Sequence, residues 1–184
     1  PLPPPHPPGP SPLPPSRSPT LKPYPPAVEP TQYILEKLAG SPDSTSSRSL
    51  LTVQVADRLG DVVVAPGAEL DNFLKNPVVL FGHNSSALPV GRCTELAIHA
   101  GKGIEAAWEW SPLPEAQDVK LLWNLGFLNA TSIGFQPLEA TELETEDMSW
   151  WPPLQFDSWE LLEFSVVPVP ANQDALRLAL KGLE

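Results

Sequence analysis

The sequence predicts an α+β domain: an antiparallel-rich β-barrel or strongly curved sheet of about seven strands, with helices packed outside it. Three observations predict this class. Short segments of apolar alternation recur from residue 50 onward. Segments of helical spacing are few and do not alternate with the strands as β-α-β-α, so a doubly wound parallel sheet is not expected. Of the 26 prolines in 184 residues, 15 fall within residues 1–30. That leaves about 150 residues of ordinary composition, enough to bury a real core.

Residues 1–30 cannot form helix or ladder. Proline lacks the amide hydrogen and pushes its predecessor towards extended conformations, so polyproline II or disorder is expected. The segment reads as a tail, spacer or propeptide, with a PxxP ligand as the functional alternative. Residues 31–39 read as a short helix and 40–49 as a linker, which places the dense domain at 50–182. Within it, 50–56 (LLTVQVA) alternates as a strand, 57–61 turns, and 62–65 resumes as strand until Pro66-Gly67. Apolar residues at 70, 73 and 74 predict a helix over 68–75, stopped by Asn76-Pro77. Residues 78–81 (VVLF) read as a buried strand, and 93–100 with 104–110 as a strand pair around Gly101-Lys102-Gly103. Ser111-Pro112 opens a helix over 115–125, which Gly126 stops. Residues 131–135 read as strand, 139–147 as an acidic loop and 159–167 as a strong strand. Asn172 caps a last helix over 173–181.

Charge and cysteine content exclude several classes. A net charge of −11 argues against non-specific nucleic-acid binding and against docking on an anionic membrane. A lone cysteine, Cys93, excludes an internal disulfide and a cysteine-based zinc site. No apolar run approaches the roughly 20 residues that span a bilayer, and the first residues lack the pattern of a signal peptide. The chain begins with Pro and so reads as a fragment or a processed form. No metal constellation and no phosphate loop is present, and no cofactor is expected.

Few residues are candidates for chemistry. His6 lies in the proline-rich tail, and His99 in a strand with polar neighbours. His83 follows directly on the apolar strand 78–81, a stiff mount of the kind a general base needs. A dyad of His83 with Cys93 is one reading, but the apolar strand setting of Cys93 favours a buried, inert thiol. Ser132 lies two residues before Gly134, which permits close backbone approach. Ser165 lies within a strand, where a buried serine is more often structural, and alternation puts it on one face with Glu163. A glutamate on that face needs a partner, and a histidine suits it. Residue chemistry alone leaves a Ser-His-acid hydrolase as one candidate among others.

Four blocks in order carry a resemblance. They are Asp57-Arg58-Leu59-Gly60-Asp61-Val62-Val63; residues 76–84 (NPVVLFGHN) with Pro89-Val90-Gly91-Arg92; Ser132-Ile133-Gly134-Phe135; and residues 159–172 (WELLEFSVVPVPAN). Together they resemble the prohead serine proteases of tailed bacteriophages, relatives at a distance of the herpesvirus assembly proteases. The resemblance spans about residues 50–180. It implies a closed β-barrel surrounded by helices, often dimeric. It carries the family's base onto His83, its nucleophile onto Ser132 and the orienting acid onto Glu163, with Ser165 as the alternative nucleophile. The activity implied is a serine endopeptidase that processes scaffold and capsid proteins inside the assembling procapsid, in the host bacterial cytoplasm. The alternative is a catalytically silent assembly protein that keeps the fold. Asn84 stands where the family commonly has an acid, and the proline-rich tail has no family counterpart.

Overall fold

The computed structural model describes residues 31–34, 47–144 and 152–178. The strands are β1 (Thr31–Ile34), β2 (Ser47–Val53), β3 (Val62–Val63), β4 (Ala68–Glu69), β5 (Val78–Phe81), β6 (Gly91–His99), β7 (Gly103–Trp110), β8 (Ala130–Glu142) and β9 (Leu154–Val167). The α-helix among the described residues is α1 (Pro114–Asn124). All nine strands join one sheet.

Six of them wrap into a nearly closed mixed barrel. Antiparallel pairing runs β2 to β7 to β6 to β5, then β5 lies parallel to β9, and β9 pairs antiparallel with β8. The seam between β8 and β2 closes through side chains and through the chain after β9. The Thr131 hydroxyl donates to the Leu50 carbonyl at 2.9 Å and lies 2.8 Å from the Ser49 hydroxyl. The Leu50 amide donates to the Leu176 carbonyl, and the Thr131 amide to the Ala175 carbonyl, each at 3.0 Å. Residues 175–178 thus pair with both strands at the seam, around Arg48–Leu50 and Asn129–Thr131, and satisfy the backbone groups there.

β9 is the spine of the barrel. Along one edge it receives β3, β4 and β5 in succession, all parallel, at Gln155–Phe156, Trp159–Glu160 and Phe164–Val166. Along the other edge it pairs with β8 over its whole length. Its core-facing residues are Trp159, Leu161, Phe164 and Val166, all fully buried. The parity changes between Leu161 and Phe164 because Gly134 pairs with Glu163 while Phe135 pairs with Leu161, so Leu162 has no partner. This β-bulge turns Leu162 outward, half-exposed, and sends Glu163 and Ser165 to the face away from the core. Around Phe164 the core holds Trp108, Trp123 and Phe73, with Trp108 edge-on to Trp123 at 5.2 Å and to Phe164 at 5.6 Å. The helix contributes Ala116, Val119 and Trp123 to this core.

Several expectations are corrected. The helical layer around the barrel reduces, among the described residues, to α1. Thr31–Ile34 is a strand rather than the start of a helix; it pairs with Glu95–Ile98, the stretch of β6 edge that β5 leaves open. Ser47, Arg48 and Ser49 belong to β2 rather than to a linker. The helix expected over 68–75 resolves into β4 and a single 3-10 turn, Phe73–Lys75; Leu70, ahead of that turn, and Phe73, within it, both reach the core. Residues 139–142 extend β8 instead of forming a loop. The last helix is absent from residues 173–178, where bridges of Leu176 to Ala130 and Arg177 to Ser49 use the backbone at the barrel seam. The expectations for residues 1–30, 35–46, 145–151 and 179–184 lie outside the described residues.

Candidate active site

The buried strand β5 delivers the chain to Gly82 and His83 at the barrel surface. Its ladder to β9 ends with the Gly82 amide donating to the Val166 carbonyl at 3.0 Å. Both residues are left-handed, Gly82 at φ 61° and His83 at φ 59°, and His83 is the non-glycine residue with positive φ among those described. A histidine there is strained, and such strain is retained where surrounding contacts hold it. Two contacts do so. The His83 amide donates to the Ser165 Oγ at 3.0 Å, and the His83 Nδ1 lies 2.7 Å from the Glu163 Oε1. Asn84 turns the chain back, its amide donating to the Phe81 carbonyl and its side-chain oxygen accepting from the Ser86 amide.

Glu163 is held as firmly as His83. The second oxygen of Glu163, Oε2, accepts a hydrogen bond from the Ser165 hydroxyl at 2.7 Å. Glu163 is 12 % exposed and the His83 ring 43 %. Since a carboxylate accepts, Nδ1 carries the hydrogen in this pair, and a neutral ring held this way has its lone pair at Nε2. Gly134 sits opposite Glu163 in the β8–β9 ladder. A Cβ on Gly134 would lie 2.3 Å from Glu163 Oε1, so the missing side chain makes room for the acid rather than for an approaching backbone.

Ser132 and Ser165 are cross-strand partners, and both are buried. Register and alternation put Ser132, Gly134, Glu163 and Ser165 on one face, with Ile133 and Phe164 on the core face. His83, Glu163 and Ser165 are joined by hydrogen bonds, and Ser132 adjoins them through its strand partner. Among the described residues no hydrogen bond joins the Ser132 hydroxyl to the His83 ring; unliganded sites often hold such contacts longer than the reacting complex does.

The other candidates stand elsewhere. His99 ends β6, with its Nε2 3.6 Å from Glu105 Oε2, beside the Arg48–Glu95 ion pair. Cys93 points into the core, where burial pushes its thiol from the ordinary 9.0 up to about 12; this is an inert thiol and no partner for His83. Among the described residues no group of three or more His, Cys, Asp or Glu is placed to hold a metal, and no helix is long and apolar enough to cross a membrane. Sequence reasoning missed the double role of Ser165 and the bulge at Leu162. The adjacent apolar pair Leu161-Leu162, which interrupts strict alternation, is the signal that marks that bulge.

Comparison with known proteins shows the family. The description "Caudovirus prohead serine protease" matches residues 51–183. The chain is 37 % identical over 123 residues to the prohead protease of Escherichia phage T5, an alignment covering 65 % of the chain and 55 % of that protein. It is 32 % identical over 135 residues to the capsid polyprotein of Pseudomonas phage PAJU2, covering 70 % of the chain and 19 % of the polyprotein. The chain therefore spans about half of the first relative and a fifth of the second. No solved structure matches it significantly. With the match running from Leu51, within β2, through the closing segment, the chain belongs to the Caudovirus prohead serine protease family.

Proposed function

We propose that the chain is a serine endopeptidase that cleaves scaffold and capsid proteins within the maturing prohead. In this reading Ser132 is the nucleophile, His83 the general base and Glu163 the acid that orients it. The observation that carries the reading is the 2.7 Å contact of His83 Nδ1 with Glu163 Oε1. It commits one ring nitrogen to the carboxylate and leaves the other to accept a proton, beside a strand that presents Ser132. The names of the two relatives, a prohead protease and a capsid polyprotein, support the choice of substrates.

The chemistry balances in two halves. The Ser132 oxygen attacks the scissile carbonyl while its proton passes to His83 Nε2. The imidazolium then gives that proton to the departing amine as the C–N bond breaks, leaving an acyl-serine. Water enters, His83 takes its proton, and the acid product leaves as Ser132 recovers its hydrogen. Glu163 stabilises the imidazolium in both halves and fixes the ring's tautomer.

A fluorophosphonate reacts with a serine only where a base activates it, so intact mass followed by peptide mapping tests the assignment. One adduct is expected, on Ser132. Ser132→Ala should fold with an unchanged melting curve, take no adduct and cleave no peptide from the cognate scaffold. An unlabelled wild-type chain would favour the silent assembly protein instead.

A further inference from the structure

Ser165 is fully buried, yet its hydroxyl makes two polar contacts, one to each of the residues that flank the candidate reaction centre. A serine hydroxyl has one hydrogen to give and two lone pairs to accept with. The Glu163 carboxylate accepts, so the hydrogen goes to Oε2 at 2.7 Å. The lone pairs then face the His83 amide, which donates at 3.0 Å. The two bonds run in one direction, from the His83 amide through the hydroxyl to the carboxylate, an arrangement in which each bond polarises the next.

The consequence is a two-point hold on His83 from a single strand. Glu163 fixes the ring at Nδ1, and Ser165 fixes the backbone at the amide, the first donor beyond the β5–β9 ladder. Both side chains leave β9 on the same face by strand alternation, and the bulge at Leu162 turns that face away from the core. Residues 81–89 around His83 are all exposed, so no packing of their own sets the position of the imidazole. Its left-handed φ of 59° needs outside restraint. From this we infer that Ser165 is a positioning residue, which locks the Glu163 carboxylate and the strained His83 backbone in one geometry so that Nε2 keeps a fixed aim. This role rests on the proposed catalytic reading, in which Ser132 reacts and Ser165 does not.

The test uses the full chain and two substitutions. Ser165→Ala removes both bonds; Ser165→Cys keeps the shape but supplies only a weak donor, and it carries the same test if the alanine variant does not fold. The chain has three histidines, so selective nitrogen labelling, assigned with His83→Gln, resolves the Nδ1 hydrogen of His83 by NMR without substrate. Wild type should show that hydrogen as a protected downfield signal, and both variants should lose it. With peptide substrate, kcat should fall about 10- to 100-fold while KM stays within about twofold, the signature of lost aim rather than lost binding. A buried serine that only fills space would lower the melting temperature and leave the signal and kcat in place; that result overturns the proposal. Phosphonate labelling of Ser165 in the Ser132→Ala protein also overturns it, since Ser165 would then be a nucleophile. If wild type takes no label and cleaves nothing, the catalytic reading fails, and the NMR comparison still decides whether Ser165 holds His83.

Discussion

Replacing Gly134 by alanine should slow the proposed cleavage about 100-fold while leaving the fold intact. The added Cβ would lie 2.3 Å from Glu163 Oε1, 3.1 Å from its Cδ and 3.2 Å from its Cγ. An ordinary carbon–oxygen contact is about 3.3 Å or more, so Oε1 must retreat by roughly 1 Å. The oxygen that moves is the one that meets His83 Nδ1. Misplacing a catalytic group by roughly 1 Å costs about 100-fold in rate, equivalent to about 2.7 kcal/mol of barrier. Stability should change far less. What yields is the end of a flexible side chain, and the φ of Gly134 is not left-handed, so alanine gains about 0.4–1 kcal/mol from the unfolded chain's lost freedom. Against this stands a weakened hydrogen bond to a ring that is 43 % exposed, about 1 kcal/mol. The two nearly cancel. The assay is the rate of peptide cleavage, or of phosphonate labelling at Ser132, beside a denaturant melt. A Gly134→Ala protein that folds and keeps its rate within about threefold of wild type would refute the reasoning, because the carboxylate would not be setting the aim of His83.

Two further expectations concern the barrel. Thr131→Val keeps the side chain's volume but removes the hydroxyl that reaches across the seam to the Ser49 hydroxyl and the Leu50 carbonyl, leaving that carbonyl only the Ser49 hydroxyl as a side-chain donor; losing the two bonds should destabilise the domain by about 1–3 kcal/mol, read as a lowered urea midpoint with an unchanged slope. Cys93 should resist thiol reagents in the native state, and its raised pKa makes stability depend on alkaline pH. The unfolded thiol ionises near its ordinary 9.0 and the folded one only near 12, so this contribution is full below about pH 9 and is lost as pH rises towards 12. Cys93→Ala should flatten that part of the stability profile, and an equal alkaline slope in both proteins would contradict it.

Much of the barrel wall is legible one segment at a time. The strand at Val78–Phe81, the pair that became β6 and β7, and the helix stopped before Gly126 are short-range patterns of apolar residues and breakers, which act through their neighbours in the chain. The failures share a different cause. Thr31–Ile34 carries too little local preference to choose between helix and strand, and the open edge of β6 chooses for it. Residues 173–178 have helical spacing, yet their amides and carbonyls are needed where β2 and β8 fail to meet.

The same division runs through the candidate site. Sequence by itself determined that His83 follows a rigid apolar strand, and that Glu163 and Ser165 share a face, because side chains in a strand alternate with a period of two. It did not determine which face. Alternation continued from Trp159 and Leu161 would drive Glu163 and Ser165 into the core, and only the unpaired Leu162 reverses it. Nor could the sequence say that Gly134 makes space for the Glu163 carboxylate, or that one buried hydroxyl serves both His83 and Glu163. Local periodicity sets the relation of a residue to its neighbours along the chain. The partner across the ladder, 80 residues away for His83 and Glu163, exists only once the sheet has closed, and tertiary structure alone decided that geometry.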